Sequence, residues 1–166
     1  MKNHPIEILA ATRDGDFIAR YSENGLTELS FPNPKGFVAP KRSEGGRLPA
    51  KIRAWHRETE AALKSILTGR APKKFPPLDL VGTDFQKSVW NALRKISLGK
   101  TKSYGEIARA IGRPKAVRTV GGACGANPVP VLVPCHRVLA ANGKIGGFSG
   151  GLAWKRALLA CEGVKV

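Results

Sequence analysis

Hydrophobic and polar positions alternate over the first thirty residues, and the period then lengthens. Ile6 to Ala10, Phe17 to Tyr21 and Leu26 to Phe31 read as three short strands. Asp14-Gly15 and Asn24-Gly25 separate them, and both dipeptides favour hairpin turns. From Ala50 to Thr68 the spacing changes to that of a helix. Ile52, Trp55, Thr59, Ala62 and Ile66 share one face, and Gly69 is a stop signal. Residues 70–77 form a proline-rich linker, and Leu78 to Val81 read as a further short strand. Thr83 and Gln86 fit a capping box, followed by an apolar stripe of Phe85, Val89, Leu93 and Ile96. Ser103 and Glu106 fit a second box, opening a short helix to Ile111 that Gly112 ends. Pro114 suits the first position of a helix over Lys115 to Cys124.

Two short helices around a glycine turn are the pattern of a helix-turn-helix. The second one is basic, with Lys115 and Arg118, and rich in small residues. Such a helix can approach a nucleic-acid groove closely, although ordinary helix packing accounts for the same pattern. The predicted architecture is α+β. A small N-terminal antiparallel β lobe with a helix (1–81) carries a basic Pro/Gly-rich loop at 32–49. A mainly helical C-terminal domain (82–166) contains the helix-turn-helix.

Composition narrows the function class. The 166 residues are 42% hydrophobic, enough for a core in one domain or two small lobes. The formal net charge is +16, from 28 Lys+Arg against 12 Asp+Glu. An excess of that size points to a polyanionic partner, of which nucleic acid is the commonest. Three cysteines cannot make a paired disulfide set, which argues for a reducing compartment. No apolar run approaches the ~20 residues that span a bilayer, and the first residues lack the apolar core of a signal peptide. The expectation is a cytoplasmic protein without a membrane partner.

Candidate chemistry concentrates at Pro134-Cys135-His136-Arg137-Val138. A thiolate is a strong nucleophile, and a nearby imidazole can generate it. Adjacency alone is weak evidence, because neighbours on a strand point to opposite faces. The setting is more specific: the apolar run Val129 to Val133 precedes the pair, and a glycine-rich loop at 146–151 follows it.

Further elements extend the motif. They are Arg118-Thr119-Val120-Gly121-Gly122-Ala123, Asn127-Pro128-Val129-Pro130, Ser149-Gly150-Gly151 and the closing Leu158 to Gly163. Together these residues resemble the O6-alkylguanine-DNA alkyltransferases. The resemblance is strong from Thr83 to Gly163 and weak in the N-terminal lobe. It implies single-turnover transfer of an alkyl group from O6 of guanine in double-stranded DNA to Cys135. It also implies base flipping, minor-groove binding, no cofactor, a monomer, and a place in the cytoplasm at the nucleoid, or in a nucleus. O4-alkylthymine stands as a further candidate substrate.

The resemblance also assigns residues. His136 would deprotonate Cys135 through a water, with Glu162 orienting the imidazole and Tyr104 donating a proton near N3. The Ser149 amide would face O6, and main-chain carbonyls near Cys135 and Val138 would face the guanine amino group. Phe148 would wall the pocket. Asn127 would brace the turn before an active-site strand. Arg118 would fill the gap left by the flipped nucleotide, with Lys115 as a phosphate contact. Thr119 departs from the usual alanine and faces the groove. Zinc, bound by some relatives in this lobe, is not expected, since the lobe has only His4 and His56 and no cysteine. Cys124 and Cys161 read as small core fillers.

Three other functions fit parts of the chain. A binder of alkylated DNA without chemistry would not need Cys135. A helix-turn-helix regulator leaves Glu162 and the Ser-Gly-Gly loop unexplained. A cysteine hydrolase lacks an evident oxyanion site.

Overall fold

A computed structural model of the chain describes residues 5–32 and 47–166. The expected loop 32–49 falls largely outside the described residues, as does His4. Three antiparallel strands open the fold: β1 (Ile6–Thr12), β2 (Gly15–Tyr21) and β3 (Leu26–Ser30), in that order across the sheet. The β1–β2 register closes at Thr12 opposite Gly15, where Gly15 takes φ +115°. This is the left-handed side that glycine tolerates. Ala10, Phe17, Ala19, Tyr21, Leu26 and Leu29 are buried, so alternation has aimed one face of the sheet inward.

Helix α1 (Ala50–Leu67) covers that face with Ile52, Thr59, Ala62, Leu63, Ile66 and Leu67. Gly69 ends it at φ +71°, where a Cβ would stand 2.1 Å from the Cys161 carbonyl oxygen. His56 Nδ1 lies 3.0 Å from Tyr21 Oη, and its Nε2 lies 3.1 Å from the Leu9 oxygen.

The expected strand at Leu78–Val81 does not form. Leu78 makes one isolated parallel bridge to Leu26. Leu26 N–H donates to the Pro77 oxygen and Asp79 N–H to the Leu26 oxygen, and Pro76 and Pro77, lacking N–H groups, cannot extend the pairing on their side.

The second half packs α2 (Asp84–Leu93), α3 (Tyr104–Ala110), α4 (Val117–Gly125) and α5 (Leu152–Cys161). Both expected capping boxes are complete. Thr83 Oγ1 accepts from the Gln86 N–H and Ser103 Oγ from the Glu106 N–H, with the reciprocal side-chain bonds also present. The helix-turn-helix is α3, a turn and α4. Its second helix starts two residues later than expected, because Arg113 to Ala116 form a turn closed by Ala116 N to Arg113 O at 2.9 Å. Pro114 then occupies the second position of that turn, where its fixed φ suits it, and Lys115 lies outside the helix. Trp90 on α2 locks α4 by donating from its indole to the Ala123 oxygen at 2.9 Å.

Two short strands, β4 (Lys102–Ser103) and β5 (Val138–Leu139), pair in parallel. They tie the start of α3 to the residues after His136. One hydrophobic cluster runs from Ala10 and Phe17 through Trp90 and Val120 to Val133 and Leu158. The sheet and the helices therefore share a core.

Candidate active site

Cys135 sits not on a strand but in a 3-10 turn, Cys135–Arg137. Pro134 precedes the turn and accepts from Arg137 N at 3.0 Å. The loop leading in is buried from Val129 to Pro134. Val131 within it takes φ +74°, an outlier for a β-branched residue, of a kind that costs about 1–3 kcal/mol. Asn127 holds both ends of this loop. Its Oδ1 accepts from Val129 N at 3.0 Å, and its Nδ2 donates to the Val133 oxygen at 2.8 Å. The same Nδ2 donates to Cys135 Sγ at 3.2 Å.

Cys135 is buried but opens onto a cavity of about 200 Å³. Tyr104, Phe148, Ser149, Cys124 and glycines 121, 125 and 147 form the walls. Burial pushes the Cys135 thiol up, while the Asn127 hydrogen bond and the Lys155 charge pull it part of the way back. Burial also raises Tyr104, so its phenol keeps its proton at neutral pH.

His136 is fully buried, with Nε2 2.8 Å from Glu162 Oε1. Burial drives its pKa below the ordinary 6.5, against the pull of Glu162. Burial opposes charge on Glu162 too, but hydrogen bonds from His136 and Arg137 outweigh it and bring the carboxyl down to about 2. An ionised carboxylate only accepts, so Nε2 carries the hydrogen. Nδ1 of the neutral ring is then a free acceptor. It is also the buried side-chain polar atom left without a partner among the described residues. The imidazole is thus poised to take a proton at Nδ1.

Arg137 completes this cluster. Its Nε donates to Glu162 Oε2 at 2.9 Å, Nη2 to Oε1 at 2.9 Å, and Nη1 to the Ile96 oxygen at 2.6 Å. Gly99 N adds a bond to Oε2 at 3.1 Å. Lys155, buried in α5, donates to the Val138 oxygen at 2.7 Å and the Gly147 oxygen at 3.1 Å. The Val138 carbonyl, expected to face the base, is engaged by that ammonium, and Val138 is not among the cavity walls. Lys115, Arg118 and Thr119 are exposed on the turn and the start of α4, apart from the cavity.

Residues 84–164 match the family described as 6-O-methylguanine DNA methyltransferase, DNA binding domain. Over 149 residues the chain is 41% identical to the methylated-DNA–protein-cysteine methyltransferase of Methanosarcina acetivorans, covering 90% of this chain and 92% of that protein. The chain belongs to this family.

A second methyltransferase, from Mycobacterium bovis, is 59% identical over 100 residues, 60% of this chain and 61% of that one. The crystal structure of Mycobacterium tuberculosis OGT in complex with DNA superposes with TM-score 0.73 at 37% identity, covering 93% of this chain and 90% of that one.

Sequence reasoning missed three residues of this methyltransferase's site. Arg137 stands inside the Pro134–Val138 motif, where a charge set in an apolar stretch was the available signal. Lys155, flanked by Trp154 and Arg156, carries no local signal of the buried position it takes. Cys124 is buried as expected, but it also lines the cavity.

Proposed function

We propose that this chain repairs O6-alkylguanine in duplex DNA by moving the alkyl group to Cys135 Sγ, once per molecule. The observation that carries the reading is the 2.8 Å bond from His136 Nε2 to Glu162, which leaves Nδ1 free to accept a proton on the residue that follows a thiol opening onto a small cavity.

The steps follow from the protonation states. Cys135 begins as a thiol, because burial disfavours the thiolate. Its proton passes through a water to His136 Nδ1, and the imidazolium is stabilised by Glu162, as in other base–orienter pairs. Sγ attacks the alkyl carbon as the carbon–O6 bond breaks, and the electron pair goes to the guanine. Tyr104 gives its phenolic proton at N3 as charge grows there. The imidazolium proton returns to the tyrosinate through solvent, so the step balances without a cofactor. The Ser149 amide faces O6. The product is a thioether, which no residue reverses.

O6 lies on the major-groove edge of a paired and stacked base, out of reach of a buried thiol approached from the minor groove, so the base must be extruded at a cost of a few kcal/mol. Arg118 enters the vacated stack from the minor groove, Lys115 binds phosphate, and Thr119 faces the groove. O4-alkylthymine, extruded in the same way, is a further substrate. In this reading residues 82–166 carry both DNA binding and chemistry, residues 1–81 support them, and the protein acts as a monomer in the cytoplasm, on DNA of the nucleoid or a nucleus.

Intact-mass measurement after incubation with O6-methylguanine DNA tests the proposal. One methyl adduct on Cys135, no further turnover, and no adduct in Cys135→Ser are expected. Unmodified protein that still prefers the lesion would identify a binder instead.

A further inference from the structure

Phe148 walls the cavity from the glycine-rich loop, and a glycine-rich loop cannot hold a ring in place by itself. Gly150 shows what holds it. A Cβ added there would stand 2.4 Å from Phe31 Cε2 and 2.9 Å from Phe148 Cε1. The loop backbone thus runs between two aromatic rings at a distance that admits only glycine.

Phe31 directly follows β3, in the N-terminal half. Its ring meets Phe148 edge-on at a centroid distance of 5.7 Å and an interplanar angle of 72°. It also rests on Trp154 of α5 at 5.0 Å and on Phe17 of β2 at 5.5 Å. Phe17 is fully buried and packs edge-on against Trp154 at 5.6 Å. The four rings form one packed cluster rooted in the sheet and in α5. Edge-to-face pairs of this kind add to simple burial. Beyond Phe31 lies a second cavity of about 610 Å³, more open to the surface and bordered by Phe31, Trp154 and Ser149. Ser149 also lines the cavity of Cys135. Phe148 lines the small space at the thiol and Phe31 the larger one behind it, so the contact between the two rings lies, with Ser149, between them.

We infer that Phe31, a residue of the N-terminal lobe, determines which alkyl groups Cys135 can accept, by bracing Phe148 and closing off the second cavity. Phe31 is a positioning residue: it sets the width of the pocket through Phe148. The inference rests on the reading that Cys135 is the alkyl acceptor, although the wall itself can be tested without that chemistry.

The test labels Cys135 with methyl and benzyl methanethiosulfonate in the unmodified chain, in Phe31→Ala and in Phe31→Leu. Peptide mass separates Cys135 from Cys124 and Cys161. The benzyl-to-methyl rate ratio should rise roughly tenfold in Phe31→Ala, the low end of what a change in pocket size is worth. Phe31→Leu, which keeps the core filled, should raise it less, and it decides the matter if the alanine variant does not fold. An unchanged ratio, or equal slowing with both reagents, overturns the inference. Transfer from DNA carrying O6-benzylguanine relative to O6-methylguanine should rise in parallel, with DNA affinity unaltered. If no alkyl group is transferred yet the labelling ratio still shifts, the acceptor reading fails while the role of Phe31 stands.

Discussion

Glu162 accepts hydrogen bonds from an imidazole, a guanidinium and a backbone amide within one buried cluster. Arg137 already compensates its charge, so Glu162 can orient His136 without forcing a proton onto it. The neutral imidazole is what the proposed reaction needs. Replacing Glu162 by Gln keeps the shape but loses the charge that steadies the imidazolium. Alkyl transfer should then fall by about 10²-fold or more, with DNA binding unchanged, when both are measured by single-turnover kinetics and titration. Arg137→Met strands the carboxylate in the interior. Breaking a buried pair in this way costs about 3–5 kcal/mol, which urea denaturation would read directly. Because burial holds His136 below 6.5, transfer should persist as pH falls through 6.5 and fail only when His136 is protonated. A rate that halves near pH 7 would contradict that assignment.

At the level of elements, α4 combines a locked inner face with a bare outer one. Trp90 grips it through Ala123, while a Cβ at the exposed Gly122 would meet nothing within 4 Å. Gly122→Leu should therefore leave thermal stability unchanged, apart from the gain of a better helix former. It should weaken DNA binding by roughly tenfold, about 1.4 kcal/mol, if this face meets DNA. Loss of stability with intact DNA binding would reverse that reading. Capping boxes and strand alternation were legible in the sequence because they are set by residues three or two apart. The start of α4 was not. Pro114 is compatible with both a helix start and a turn, and the hydrogen bond from Ala116 to Arg113 settles it as a turn. The pairing of β4 with β5 was hidden for the same reason, since two-residue strands leave no periodic signal.

For the whole molecule, charge and pH act together. Glu162 in the folded state titrates near 2, below the ordinary 4.5. Its contribution to stability is present above about pH 4.5 and is lost as pH falls towards 2. His136, neutral when folded, adds a loss that begins below 6.5. Stability measured by denaturant between pH 7 and 3 should decline steadily, and Glu162→Gln should flatten the acid limb of that curve. The +16 charge predicts DNA binding that weakens steeply with salt. Arg118→Ala should reduce the salt slope by about one if it contacts phosphate, and by less if it stacks between bases.

The sequence by itself determined the first three strands and the long helix after them, the capping boxes, the helix-turn-helix and the Cys135-His136 motif, because each depends on neighbours a few residues away. Tertiary structure alone decided what surrounds that motif. Arg137 finds Ile96 and Glu162 across 41 and 25 residues. Lys155 turns inward to two main-chain oxygens, and Phe31 crosses from the sheet to the loop behind the thiol. Burial makes each of these contacts matter, since a charge or a ring in the interior must find its partner there, and burial belongs to the packed fold rather than to any local stretch of chain.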